Sequence, residues 1–346
     1  MNVYFYVNGL ARLVMACAIA DQHYADCRKH LILLYQHRYN YDSVLPQVRH
    51  LFASVLELHI SNRTYSHRYQ LFNTYLNPYF PLRRLFKPNS EVVLFDISSP
   101  VQKFIVRRNK RLGNRVVVYA ESLAVDRCFV SPGKHELWRR LARRIFTRAF
   151  AYQHDYDVFY VHNTAVYQDA PSAKKLRPIA DLYLSPSFAR YAEILTAHLP
   201  LESLKEFDLV FFGQPLSNYH HFLSREEEER MLHEIIGEKR ALILPHPNER
   251  LDIDNKYSSL KNAQVLRSAI SNELLLLRLR PRITMTFGST IALNHAITMP
   301  ESMNYFFPVM RSHLGVLQKY VHHMSNIHID NRFVTTHLGS ATDRRP

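Results

Sequence analysis

His246 stands between two prolines in Leu244-Pro-His-Pro-Asn-Glu249, directly after an apolar run that reads as a strand. Prolines on both sides stiffen the backbone and hold the ring where the strand ends. In open α/β sheets ligands bind outside the carboxyl ends of the strands. A histidine there can protonate a leaving group or neutralise a phosphate near neutral pH. Thr286-Phe-Gly-Ser-Thr-Ile-Ala-Leu293 is a second such place. A strand runs into a glycine, and Ser289 and Thr290 then open an apolar helical pattern. Hydroxyls, free backbone N–H groups and the helix dipole would meet an anion there; simple capping needs the same residues. Glu273, in Ser271-Asn-Glu-Leu-Leu-Leu-Leu277, could accept hydrogen bonds from two ribose hydroxyls. An acidic residue in a helix's first turn is also ordinary dipole chemistry. In the first half, Glu121 of Val118-Tyr-Ala-Glu-Ser-Leu123 follows a strand. It is a candidate general base for a hydroxyl nucleophile, with Asp96 and Asp126 as competitors.

Alternating strands and helices must position these residues. Val3–Val7, His30–Tyr35, Val55–His59, Glu91–Asp96 and Arg115–Tyr119 read as strands. Helical patterns lie at Ala11–Ala20 and about 44–54, 65–78 and 99–112. The pattern restarts with predicted strands Asp157–Val161 and Asp181–Leu184 and a helix from Ala192 to Leu199. Pro200 and Glu202-Ser-Leu-Lys-Glu206 read as a linker. Strand Asp208–Phe212, helix Arg225–Ile236, strands Arg240–Leu244, Ala263–Leu266 and Arg282–Thr286, and a helix opening at Ser289 complete the series. Continuous apolar strands separated by helices specify parallel α/β sheets. We therefore expect two Rossmann-like domains, 1–200 and 201–346, facing a central cleft, with the last helix free to cross back to the first.

A chain of 346 residues holds two domains at about 150 residues each. Hydrophobic residues at 47% and charged residues at 21% exclude a disordered chain. None of the 8 glycines is spaced for GxGxxG or GxxxxGK[ST], so any nucleotide must bind through helix N-termini and side chains. The 3 cysteines suit neither a disulfide framework nor a zinc site, so reduced thiols are expected. Forty-four Lys+Arg against 30 Asp+Glu give +14, which favours an anionic partner. Part of that charge lies in Glu136–Phe150, where Trp138, Leu141, Ile145 and Ala149 share one helical face. Arg139, Arg140, Arg143 and Arg144 cover much of the rest. Arg107, Arg108, Lys110, Arg111 and Arg115 form a second cluster. Such surfaces suit an anionic glycan acceptor or acidic lipids, although solvated arginines need no partner. Nucleic acid is disfavoured, because no recognisable binding module is present. No apolar run approaches the roughly 20 residues of a membrane span. Met1-Asn-Val-Tyr-Phe-Tyr lacks signal-peptide character, so a cytoplasmic protein, peripheral at most on the inner membrane, is expected.

Taken in order, the residues are more specific than any one of them. An acidic residue after an N-terminal-half strand, then His246-Pro247, then Glu273, then Ser289-Thr290 resembles the bacterial sialyltransferases of the polysialyltransferase-like and lipooligosaccharide families. Phe211-Phe-Gly-Gln-Pro-Leu216, with Gly213 and Gln214, also looks like the strand and turn that open their nucleotide domain. The resemblance implies a GT-B fold and an inverting transfer of a nonulosonic acid from a CMP donor to a glycan acceptor, without metal or other cofactor, in capsule or lipopolysaccharide synthesis. Glu121 would be the base and His246 would act on the leaving phosphate. Ser289 and Thr290 would hold that phosphate, Glu273 the ribose, and Gly213, Gln214 and Pro247 would line the donor site. The family pattern has two acidic residues followed by glycine, whereas this chain has Ala120-Glu121-Ser122. Rivals are a CMP-Kdo capsule transferase, a CDP-glycerol glycerophosphotransferase, and a non-catalytic membrane-surface assembly protein.

Overall fold

Val3 to Val7 are all buried, as are Val92 to Phe95 and Leu209 to Phe212. Strands without an exposed face belong to sheets covered on both sides, and both sheets of this protein are of that kind. The computed structural model describes residues 1–35, 41–59, 79–95, 100–119, 156–167, 173–197, 201, 204, 206–214, 216, 223–246, 249, 256–267, 272–309 and 311–334. The chain divides into two units, Met1–Ala197 and His198–Pro346.

The first unit carries β1 (Asn2–Val7), β2 (Arg28–Tyr35), β3 (Ser54–His59), β4 (Ser90–Leu94), β5 (Arg115–Tyr119), β6 (Val158–Val161) and β7 (Leu176–Pro178). They form one sheet in the order β3-β2-β1-β4-β5-β6-β7, and every pairing is parallel. Its helices are α1 (Leu10–Gln22), α2 (Leu45–Val48), α3 (Tyr79–Leu85), α4 (Pro100–Arg111), α5 (Ala180–Tyr183) and α6 (Pro186–Thr196). Leu82 of α3, Phe86 just after it, and Val101 and Ile105 of α4 pack on Tyr4, Tyr6, Leu94 and Val118 of the sheet.

The second unit carries β8 (Leu209–Phe212), β9 (Ala241–Leu244), β10 (Ala263–Val265), β11 (Ile283–Thr286), β12 (Met303–Phe306) and β13 (Ile327–Ile329). Their order is β10-β9-β8-β11-β12-β13, again parallel throughout. Its helices are α7 (Arg225–Ile236), α8 (Asn272–Leu279), α9 (Thr290–Thr298) and α10 (Arg311–Val321). Ser224 and Glu227 close a reciprocal capping box at the head of α7, which fixes where that helix begins. Both sheets share the doubly wound order, in which the winding reverses beside the first strand. In the second unit that switch point lies between β8 and β11.

Three expected elements differ. The helix expected at 44–54 is only α2 and one 3₁₀ turn, because Ser54 already pairs with His30 in the sheet. Asp181–Leu184, expected as a strand, is helical. The strand lies just before it as β7, an edge strand, where Pro178 removes no ladder donor. The helix expected from Ala192 begins at Pro186, capped by the Ser185 hydroxyl. The last described helix, α10, packs against β13 of its own unit. The helices expected at 65–78 and Glu136–Phe150, and Pro200, Glu202, Ser203 and Lys205 of the linker, lie outside the described residues.

Candidate active site

The carboxyl edge of the second sheet is tied together by side chains bonded to backbone. Where β8 leaves the sheet, Gly213 N donates to Leu244 O of β9 at 3.0 Å. Thr286, fully buried at the end of β11, donates to Phe212 O of β8 at 3.4 Å. The same hydroxyl accepts from Gly288 N at 3.2 Å and Ser289 N at 3.0 Å. That turn needs φ of +149° at Gly288, a region other residues rarely adopt. Asn272, at the head of α8, donates to Pro245 O at 3.1 Å and so ties that helix to the segment carrying His246.

Ser289 caps α9, its hydroxyl accepting from Ile291 N at 3.3 Å, and Thr290 is the first helical residue. No acidic residue occupies the first turn, so the partial positive charge of the helix is not neutralised by its own side chains. The Ser289 hydroxyl keeps a proton to donate while its oxygen caps the helix. His246 is half-buried one residue beyond Pro245, at the exit of β9. Glu273 is half-buried in the first turn of α8. Of the expected donor-site residues, Gly213 and Gln214 follow β8 and Ser289 and Thr290 follow β11 at the switch point, His246 follows β9 next to it, and Glu273 heads the helix after the edge strand β10. Pro247, Glu121 with its rival Asp126, Asp96, and Arg139, Arg140, Arg143 and Arg144 lie outside the described residues. The strand before Glu121, β5, ends at Tyr119.

Behind His246 lies a buried ionic group that sequence reasoning missed. Glu249, 2% exposed, accepts from His246 N at 2.7 Å through Oε2. Its Oε1 takes the Tyr257 hydroxyl at 3.0 Å and the Lys256 ammonium. Lys256 also reaches Glu228 Oε1 of α7 at 2.6 Å and donates to Gln214 O at 3.0 Å. Burial and the two neighbouring carboxylates push the Tyr257 hydroxyl well above its ordinary pKa, so it stays a neutral donor. A Cβ at Gly213 would lie 2.3 Å from Glu249 Oε2 and 2.5 Å from the Tyr257 hydroxyl. Gly213 therefore makes room for this group. The available signal was a glutamate three places after the histidine, inside the same hexapeptide. Among the described residues no group of three or more His, Cys, Asp or Glu side chains is poised to hold a metal.

No family model and no curated protein matches the sequence. Solved structures do match in fold. The chain is similar to an α/β-galactoside α-2,3-sialyltransferase from the luminous marine bacterium Photobacterium phosphoreum, with 11% identity and a TM-score of 0.54, over 95% of this chain and 98% of that one. It is also similar to a UDP-GlcNAc 2-epimerase from Methanocaldococcus jannaschii, with 12% identity and a TM-score of 0.58, over 95% and 89% of the two chains. A third is MnaA of S. aureus, solved with UDP, at 10% identity and a TM-score of 0.55, over 88% and 79%. The architecture of two Rossmann-like parallel-sheet units is of the GT-B type.

Proposed function

We propose that this protein is a GT-B glycosyltransferase that moves a sialic acid or related nonulosonic acid from a CMP donor to a glycan acceptor in capsule or lipopolysaccharide synthesis. The observation that carries the reading is the second unit's carboxyl edge. There His246 and an α9 N-terminus capped by Ser289 stand beside the switch point of a doubly wound sheet, and Glu273 follows Asn272, which is bonded to Pro245 O. The neighbour named as a sialyltransferase supports the reading through its fold.

The chemistry follows from charge. The donor has one phosphate between cytidine and the anomeric carbon. In a single displacement the acceptor oxygen forms its bond to that carbon as the carbon–oxygen bond to phosphate breaks, and CMP leaves with the electron pair. Negative charge grows on one phosphate monoester, which His246 meets by donating a hydrogen bond or proton. The Ser289 and Thr290 hydroxyls and the α9 dipole hold the same group without a divalent cation. Glu273 accepts from the ribose hydroxyls, and Gln214 and Pro247 line the donor. Glu121, after β5, takes the acceptor's proton, which gives inversion when base and leaving group lie on opposite faces of the sugar. A second reading, a UDP-sugar enzyme, draws on the neighbours named for UDP-GlcNAc or solved with UDP. Calorimetric titration of CMP, CDP and UDP in EDTA separates the readings. CMP is expected to bind tightest; preference for CDP would favour a glycerophosphotransferase, and preference for UDP the second reading.

A further inference from the structure

We propose that Glu249 is a positioning residue for His246 and that Lys256 holds it in place, so that a buried lysine–glutamate pair sets the site's histidine. The inference rests on the reading of His246 as the phosphate-binding group. Two bonds join the pair directly: His246 N donates to Glu249 Oε2 at 2.7 Å, and Glu249 N donates to His246 O at 2.8 Å. On the other side of His246, Asn272 holds Pro245 O, so the histidine is anchored from both directions. The carboxylate needs both its oxygens. One serves His246 while the other takes Lys256 and Tyr257.

Stability does not explain the buried ion group. Lys256 faces two carboxylates, and all three side chains are at most 5% exposed. Buried ion groups generally add little stability over apolar packing. What this group does supply is geometry. Through Gln214 O, Lys256 also couples the turn after β8 to the segment after β9. Both segments belong to the proposed donor site.

The two carboxylates provide a matched control, because Glu249→Gln and Glu228→Gln remove the same charge from the same buried group. Each leaves Lys256 one carboxylate partner, so each is expected to fold with a melting temperature near that of the wild type. Only Glu249→Gln disturbs His246, because an amide has one oxygen and cannot accept from both sides. The measurement is NMR of the His246 ring nitrogens, assigned with His246→Ala and followed through a pH titration, alongside CMP titration. Glu249→Gln is expected to shift the ring resonances and to weaken CMP binding by about ten-fold, the loss of one charged hydrogen bond. Glu228→Gln is expected to do neither. Ring resonances that do not move in Glu249→Gln, or that move equally in Glu228→Gln, overturn the proposal. If Glu249→Gln does not fold, Tyr257→Phe removes one donor to Glu249 and is expected to shift the same resonances by less; no shift there overturns it equally. A wild type that does not bind CMP defeats the functional reading alone, since the ring resonances still decide the positioning role.

Discussion

At the residue scale, two glycines predict opposite outcomes from one substitution. In Gly213→Ala the new methyl meets the Glu249 carboxylate and the Tyr257 hydroxyl, which are buried and bonded to each other. Overpacking of this kind costs about 1–3 kcal/mol. Gly315 is exposed within α10, and a Cβ there meets nothing within 4 Å. Gly315→Ala should stabilise by up to about 1 kcal/mol, because alanine is the better helix former. Denaturant unfolding of the two variants reads both signs. His295 sets a pH dependence. Its Nδ1 lies 2.9 Å from Asn304 Oδ1, while buried Nε2 has no partner among the described residues. Burial lowers its pKa from 6.5, so the unfolded chain takes up the proton first. Stability is therefore full above about pH 6.5 and falls as pH drops below it. Thermal unfolding from pH 7.5 to 5 should show that loss, and His295→Leu should flatten the profile even though its own stability is lower.

At the element scale, two capped helices separate structure from binding. Ser224→Ala and Ser289→Ala each remove a cap and should each cost about 1 kcal/mol of stability. Only the Ser289 variant should also weaken anion binding, since α7 begins with Glu226, Glu227 and Glu228 in its first turn while α9 has none. Equal effects of the two on CMP titration would remove the α9 N-terminus from the site. What was legible in the sequence follows the same division. His246 and Ser289 announce themselves because strand, breaker and helix start lie within a few residues. The strands β8 and β9 are continuous apolar runs, β1 and β4 carry such runs at Val3–Val7 and Val92–Leu94, and all four read directly. Asp181–Leu184 alternates too briefly to separate a strand from a turn of helix. β12 was invisible because Asn304 is fully buried in it, satisfied by Thr284 and His295 from other segments and by Ser302 just before the strand. The Glu228–Lys256–Glu249 group was hidden for a similar reason. Three charges from separate segments look like solvated surface until the fold buries them together.

At the scale of the whole molecule, much of the positive charge is concentrated in one place. Residues 79–119 hold nine Lys+Arg against two Asp+Glu. α3 and α4 pack together on one face of the first sheet, with Arg83, Arg84, Lys87 and Arg111 exposed. Among the described residues no helix is long and apolar enough to cross a membrane. An electrostatic surface of this kind should draw the protein to vesicles of anionic lipid and release it as salt rises, because screening shortens to about 10 Å at 0.1 M. Co-sedimentation with phosphatidylglycerol vesicles, against neutral ones, measures it. Binding to neither would leave the basic face free for an anionic acceptor.

On the proposed reading, His246 and its surroundings bind a cytidine monophosphate. The direct measurement is calorimetric titration of the purified protein with CMP in EDTA, repeated on His246→Ala. Binding is expected to survive the chelator and to weaken at least about ten-fold in the variant, as for the loss of a charged hydrogen bond. Equal CMP affinity in both proteins, or none in either, would contradict it.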